Sequence, residues 1–172
     1  MSLFRMTVVI MLSACASTAP RQTISVPENL RVPDDQPLLL RAAARGAQIY
    51  TCKARAAEPS AFEWVLKAPE AELFDESGAK IGRHYAGPTW QSADGSRVVG
   101  EVMQRSPAQG TIPWLLLRAR FNEGAGALAS VKYVQRVDTV GGLAPSAGCD
   151  TAHEGTEARV SYSANYDFYG TR

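Results

Sequence analysis

The sequence predicts an all-β protein, built as a single antiparallel β-sandwich or closed β-barrel with at most short helical turns. Many short apolar segments follow one another at near-regular spacing, and glycines and prolines separate them. The last segment, residues 160–168, alternates apolar and polar side chains as a half-buried strand does. No sustained amphipathic helix pattern follows Gly46. These three observations favour strands throughout one domain.

The composition suits a globular domain that does not bind nucleic acid. The chain has 172 residues, of which 45% are hydrophobic, and 18 basic residues balance 17 acidic ones. Nucleic-acid-binding proteins usually carry a clustered basic surface, and no such cluster occurs in this sequence. The sequence also lacks a P-loop, a dinucleotide-binding glycine pattern, an H-E-x-x-H zinc motif and a C-x-x-C pair. We therefore predict no cofactor and no metal site.

The first fourteen residues are typical of an export signal. Arg5 precedes an apolar run at residues 7–12, which is too short to span a bilayer, since that requires about 20 residues. The run ends in Leu12-Ser13-Ala14-Cys15, which resembles the lipobox of bacterial lipoproteins. The resemblance implies cleavage before Cys15 and lipid on its sulfur. It predicts membrane attachment through this lipid, with the periplasmic face of the outer membrane favoured because Ala16, not aspartate, follows. An ordinary signal peptide that releases a soluble protein is the alternative.

The remaining chain divides into a tether and one domain. Residues 15–32, rich in Ser, Thr, Pro and Gln, are predicted to form a flexible tether, and residues 33–172 a single β-domain. Once Cys15 carries lipid, Cys52 and Cys149 remain as an even pair in an oxidising compartment. They are predicted to form a disulfide, and two buried free thiols or metal ligands are the alternatives.

The first half of the domain contains several predicted strands. Residues 38–45 are predicted as a strand, although Asp35 and Gly46 would also suit the two ends of a short helix. Pro69 is expected to end the strand that precedes it, and a turn is expected at residues 76–78. The other predicted strands are residues 47–52, 62–67 and 71–75.

The second half of the domain is also predicted to alternate between strands and turns. A turn is predicted at Asp94-Gly95-Ser96, a loop at residues 106–110, and another turn at residues 122–126. Predicted strands cover residues 97–104, 114–121, 131–137 and 160–168. In the last strand, one face is predicted to carry Val160, Tyr162, Ala164, Tyr166 and Phe168.

The stretch of residues 82–96 concentrates the candidate functional side chains. It holds rigid turn formers, two aromatic residues and one of the two histidines. We interpret it as a loop that presents a ligand-binding set to a ligand or partner: His84, Tyr85, Trp90 and Asp94. In the alternative interpretation, His84 locks a rigid loop and the aromatic rings fill the core.

An enzymatic role is the second hypothesis for this stretch. His84 could act with Asp94, and with Glu101 on the next strand, in a metal-assisted or acid–base hydrolase. A cleft that brings His84 close to two carboxylates would favour this hypothesis. A His84 buried against backbone carbonyls would favour a structural role instead.

The chain resembles a family of exported bacterial and fungal proteins that is defined as a domain of unknown function. The resemblance runs in order through most of the chain after residue 32, including Gly46–Cys52, the motif His84-Tyr85-Ala86-Gly87-Pro88-Thr89-Trp90, Gln135-Arg136 and the ending Tyr162–Tyr169. In the family pattern an acid often follows the motif tryptophan, whereas Gln91 stands here. The resemblance implies no established activity.

These observations together predict a lipid-anchored cell-envelope protein. Its β-domain is expected to bind an unknown envelope ligand or protein without catalysis. The hydrolase described above and a purely structural envelope component are the alternatives.

Overall fold

The computed structural model describes residues 25–171, which form one antiparallel sheet of eight strands closed into a barrel. Each strand pairs with the next along the chain, and the last pairs with the first. The strands are β1 Leu38–Arg55, β2 Glu58–Phe74, β3 Lys80–Tyr85, β4 Thr89–Ser92, β5 Arg97–Ala108, β6 Thr111–Glu123, β7 Val131–Gly141 and β8 Glu157–Gly170. Two short 3-10 turns, Glu28–Leu30 and Thr151–His153, are the helical elements of this region.

The all-β prediction is therefore confirmed, and of the two architectures considered the closed barrel occurs. No helix among residues 25–171 is long and apolar enough to cross a membrane. The predicted signal segment at residues 1–14 and Cys15 lie outside the described residues.

Strand β1 includes residues 38–45, so the strand interpretation of this segment is confirmed. Its inward positions hold the small residues Ala42, Ala44 and Gly46, which pair with Tyr166, Ala164 and Tyr162 of β8. At Gly46 an added Cβ would lie 2.1 Å from the carbonyl oxygen of Glu70, so β1 and β2 approach too closely for any side chain there. Small residues on β1 thus leave interior space for the tyrosines of β8.

Two predicted strand ends were wrong. Pro69 does not end its strand, because β2 continues through it to Phe74. At that point β2 pairs with β1 only, and a strand with a free edge tolerates a residue that lacks an N–H group. The loop predicted at residues 106–110 was also wrong, since β5 continues to Ala108 and β6 begins at Thr111. Backbone pairing with β6 extends this hairpin beyond its apolar segment.

The barrel wall has a notch between β2 and β5. The connecting β3–β4 hairpin is short, with strands of 6 and 4 residues, whereas β2 has 17 and β5 has 12. Strand β2 pairs with β3 only from Ala71 onward, and β5 pairs with β4 only up to Val99. Beyond these points the two long strands face each other across open space above the hairpin tip.

The segment before β1 packs against the outside of the barrel as a strap, which we define as Ser25–Gln36. Its Leu30 is fully buried, and the Leu30 carbonyl oxygen accepts a hydrogen bond from Gln135 Nε2 at 2.5 Å. Asn29 Nδ2 donates to the carbonyl oxygen of Arg105 at 3.0 Å. The strap therefore covers an outer patch of the wall where Leu116 and Gln135 are buried as neighbours.

A disulfide joins Cys52 to Cys149, as predicted. It connects the end of β1 to the loop between β7 and β8 across 97 residues of sequence. Trp64 Nε1 also donates to the carbonyl oxygen of Ala147, at 2.9 Å, so β2 supports the same loop.

Candidate functional site

The β3–β4 hairpin sends His84 and Trp90 into the barrel. The two residues are cross-strand partners, and their exposed fractions are only 2% and 1%. The imidazole stacks on the indole with ring centroids 4.5 Å apart, and the Tyr166 ring meets both at 5.0 and 5.3 Å. The hairpin turns at Gly87, whose φ of 82° suits glycine. The predicted loop is thus a wall element whose key side chains point inward.

The protonation state of His84 follows from its contacts. His84 Nδ1 lies 2.9 Å from the carbonyl oxygen of Thr89, and a carbonyl can only accept, so Nδ1 carries the proton and donates. Burial is the main cause that lowers the pKa of His84 to about 3; the Thr89 bond opposes the shift, and the nearby Arg136 adds to it. His84 is therefore neutral at physiological pH, with its Nε2 lone pair available as an acceptor.

A cavity of about 250 Å³ opens at the notch and extends into the barrel beside these rings. Its mouth is bordered by residues 66–69 of β2, by Gly87 and Pro88 at the hairpin tip, and by Val102 and Arg105 of β5. Its inner wall consists of Gln48, His84, Trp90, Leu115, Leu117, Arg136 and Tyr166. We call this space the barrel cavity.

Two buried donors on the wall of the barrel cavity have no acceptor. Gln48 Nε2 and Trp90 Nε1 each lack a hydrogen-bond partner, although both side chains are 1% exposed. Most buried polar groups in proteins are paired, so two unpaired donors around one cavity are unusual. Both side chains line the barrel cavity, so an acceptor that reached either N–H group from the cavity would pair it.

The third inward donor of the cavity is Arg136. Its residue is 9% exposed, and its Nε and Nη2 donate to the carbonyl oxygen of Pro113 at 3.1 and 2.8 Å. A guanidinium has five N–H donors, so this one carbonyl does not saturate it. Within residues 25–171 no carboxylate forms an ion pair with Arg136. The Arg136 charge is thus buried without a countercharge from the described chain.

Among residues 25–171, no acidic side chain lines the barrel cavity. The charged residues along it are Arg136 inside and Lys67 and Arg105 at the mouth. Lys67 pairs with Glu157 at 2.5 Å, outside the lining. Burial raises the pKa of Tyr166, while the neighbouring Arg136 lowers it, and the phenol remains protonated. The cavity is therefore cationic and rich in donors.

Other predicted site residues lie elsewhere. Tyr85 follows His84 by one position and so points out of the barrel, where the Arg83 guanidinium lies 5.2 Å from its ring. Asp94 lies in the β4–β5 turn, where it accepts bonds from Ser96 and from the backbone N–H of Ala127. These bonds lower the pKa of Asp94 to about 2. Asp94 thus holds two loops together, away from His84.

The contacts of the hydrolase scheme do not form. Glu101 pairs with Arg118 at 3.0 Å on the exterior, and no hydrogen bond or ion pair between His84 and either Asp94 or Glu101 occurs within residues 25–171. The same region contains no cluster of three or more His, Cys, Asp or Glu side chains that could hold a metal ion. His84 instead meets the condition stated for a structural role, burial against a backbone carbonyl.

Tyr85 borders a larger groove, of about 680 Å³, on the outside of the barrel. Two of the four cations along this groove are paired, Arg159 with Glu70 at 3.0 Å and Lys80 with Glu72. The other two, Arg45 and Arg83, lie over the exterior rings of Phe74 and Tyr85. The groove also contains none of the unpaired buried donors found in the described residues. The barrel cavity is therefore the stronger candidate site.

Comparison with known proteins gives the family of the chain. The family model described as "Protein of unknown function (DUF3455)" matches residues 33–170. The chain belongs to the DUF3455 family. The resemblance to a domain of unknown function is confirmed at this level, and all residues that line the barrel cavity lie within the DUF3455 match. No curated protein matches the chain, and no solved structure does.

Sequence reasoning missed Gln48, Arg136 and Tyr166 as site residues. All three belong to segments that carry the DUF3455 resemblance, and Tyr166 was placed only on the apolar face of the last strand. A signal for Gln48 exists, because it continues the inward series of Ala42, Ala44 and Gly46 on β1. A polar residue at an inward position of a strand indicates a functional interior.

Proposed function

We propose that this DUF3455 protein is a non-enzymatic binding protein that holds a small molecule in the barrel cavity. The observation that carries the proposal is the pair of unpaired buried donors, Gln48 Nε2 and Trp90 Nε1, on the wall of one cavity. A buried polar group without a partner costs about 1–3 kcal/mol of stability. Such a cost is typical of positions kept for binding rather than for folding.

The shape of the barrel supports the same proposal. Ligand sites are usually preformed concave pockets, and the notch in the barrel wall gives this cavity an entrance. The lining combines apolar side chains such as Leu115, Leu117 and Val102 with a few convergent polar groups. That combination is typical of sites for small organic molecules.

The hydrolase alternative has less support from the geometry. His84 is neutral and its Nδ1 is bonded to Thr89, and none of the described carboxylates orients it or could share a metal with it. The stacked His84 and Trp90 rings form a rigid wall instead.

Ligand screening of the parent protein and of a variant with a blocked cavity tests the proposed binding function. Full-length protein is screened against small organic molecules by thermal shift and by the NMR signal of the Trp90 indole N–H, assigned with Trp64→Phe and Trp114→Phe variants. Ligands that enter the cavity are expected to move this signal. Ala68→Trp places a large side chain at the cavity mouth, so ligands should no longer change the Trp90 signal of this variant.

The matched control is Ala54→Trp, at a similarly half-buried position of β1 that does not line the cavity. It should leave binding intact. If no compound moves the Trp90 signal, or if both tryptophan variants bind as the parent does, the proposal is wrong.

We further propose that the barrel is attached to the envelope membrane by lipid on Cys15, on the periplasmic face of the outer membrane. Of the predicted tether at residues 15–32, the part between Cys15 and the strap would serve as the tether, because the strap packs on the barrel. The Cys52–Cys149 disulfide supports an oxidising compartment, and the signal-like residues 1–14 support export. Intact mass spectrometry of protein from bacterial membranes should show a mature chain that begins at a lipid-modified Cys15. Cys15→Ser should remove the added mass, and an unmodified Cys15 in the parent would contradict the proposal.

A further inference from the structure

We propose that the ligand of the barrel cavity is a small organic monocarboxylate, with its carboxylate on Arg136 and its apolar part along the leucine-lined wall. This inference rests on the binding function proposed above and adds the chemical class of the ligand. It follows from the charge, the donor pattern and the size of the cavity.

The charge of the cavity requires an anion. In the part of the chain that the structure describes, Arg136 is buried without a carboxylate partner and no acidic residue lines the cavity. A buried charge is stable only when paired, so a ligand that supplies one negative charge completes the site. Arginine also matches the two oxygens of a carboxylate through parallel N–H bonds.

The neutral donors strengthen the same preference. Trp90 Nε1 can only donate, and Gln48, whose Nε2 donor is also unpaired, lines the same cavity. A carboxylate has two oxygens and about four lone-pair sites, which is enough for Arg136 and both neutral donors. A neutral ligand with one carbonyl would leave part of this donor set unpaired.

A phosphate would fit the interior less well. A phosphate monoester carries a charge of about −1.5 to −2 near pH 7, whereas the buried wall offers the single cation Arg136. The other cations, Lys67 and Arg105, are exposed at the mouth, and Lys67 is already paired with Glu157. The interior therefore balances a monoanion.

The rest of the wall determines the polarity and size of the part of the ligand beyond its carboxylate. Leu115, Leu117, Val102 and Pro88 give the cavity an apolar side. Its volume of about 250 Å³ exceeds the roughly 150 Å³ of an apolar cavity that accepts benzene. An acid of the size of benzoate, or one with a short chain, thus fits inside. A longer chain would extend out of the cavity beside the exposed Leu66 at the mouth.

Matched ligand pairs test the inference in the full-length protein. Benzoate and hexanoate are titrated against benzamide and hexanamide, which have nearly the same shape without the charge, and against phenyl phosphate. The readouts are calorimetric Kd and the Trp90 indole N–H signal. We expect the carboxylates to bind about 10- to 100-fold tighter than their amides, as charged hydrogen bonds predict.

Two arginine variants assign the effect to Arg136. Arg136→Met retains length without charge and should reduce the carboxylate preference to about onefold, whereas Arg136→Lys should retain part of it. The control Arg118→Met removes an exposed arginine of β6 that pairs with Glu101 outside the barrel, and it should change nothing. The comparison of ligand pairs in the parent protein holds even if Arg136→Met fails to fold.

The outcomes separate this inference from the proposed function. Equal affinities for acids and amides, with the Trp90 signal still moving, would overturn the carboxylate assignment and leave the binding function standing. Tighter binding of phenyl phosphate would also overturn it. If neither these compounds nor any other small molecule moves the Trp90 signal, the cavity holds only water and both proposals fail.

Discussion

His84 is held neutral in the fold, and this has a measurable effect on stability. Burial lowers its pKa from 6.5 to about 3. Between these values the unfolded chain binds a proton that the folded chain does not, so the stability present above pH 6.5 falls as the pH is lowered toward 3. The slope for one such proton is about 1.4 kcal/mol per pH unit.

We predict that His84→Gln removes this slope. Urea unfolding of parent and variant between pH 7 and pH 4 should show a difference in free energy that shrinks with falling pH. Trp90→Phe is the control, because it changes the ring stacked on His84 without removing a titratable group. An identical pH dependence in parent and His84→Gln would show that His84 is protonated in the fold.

Gln48 gives a second prediction at the residue scale. Its Nε2 is buried without an acceptor, so Gln48→Met should raise the free energy of unfolding of the ligand-free protein by about 1 kcal/mol, since it removes an unpaired donor. The same change should weaken binding of a carboxylate. Thermal and urea unfolding measure the first effect and calorimetry the second. A loss of stability without loss of binding would show that Gln48 supports the fold.

At the scale of elements, the short β3–β4 hairpin creates the site. Strands of 6 and 4 residues between neighbours of 17 and 12 leave the notch, and the notch gives the cavity its entrance. Two hydrogen bonds hold the hairpin tip in place. Thr89 Oγ1 donates to the carbonyl oxygen of Ala86 at 3.0 Å, and the backbone N–H of Gly100 on β5 donates to the carbonyl oxygen of Pro88 at 3.0 Å. The rim of the cavity is therefore fixed.

The strap is an element whose contribution can be measured through Leu30. This side chain is fully buried against the outer wall, so Leu30→Ala should reduce the free energy of unfolding by about 2–5 kcal/mol, as for other buried leucines. Leu143→Ala is the control, since Leu143 is 48% exposed. Urea denaturation measures both variants. Equal and small effects would show that the strap is detached from the barrel in solution.

For the whole molecule, pairing between β1 and β8 removes the two outer edges that an open sheet would expose, and free strand edges remain at the notch. The Cys52–Cys149 bond adds a second long-range closure, across 97 residues. On the chain-entropy model a loop of about 100 residues contributes about 4.7 kcal/mol.

We therefore predict that the double variant Cys52→Ala/Cys149→Ala loses about 4–5 kcal/mol of unfolding free energy. Guanidinium unfolding of the oxidised parent, the reduced parent and the variant measures this loss. The reduced parent should resemble the variant. Three coincident transitions would show that the disulfide does not form in the purified protein.

The sequence by itself determined the fold class, most strand positions and the disulfide. These features depend on patterns in the sequence: alternation in β8, turn residues such as Asp94-Gly95-Ser96, and the pair of cysteines that remains when Cys15 is set aside. Such patterns are read along the chain, since side-chain alternation and turn preference act over a few residues. The barrel could not be distinguished from a sandwich in this way, because closure depends on which distant strands pair.

The composition of the site was decided only by the tertiary structure. His84 and Trp90 were predicted from one motif, but Gln48, Arg136 and Tyr166 come from β1, β7 and β8 and meet only once the barrel closes. Tyr85 and Asp94, although close in sequence, point elsewhere because strand alternation and the turn separate them from the interior. Whether a polar side chain has a partner is a property of three-dimensional packing. For this reason the unpaired donors that identify the cavity were invisible in the sequence.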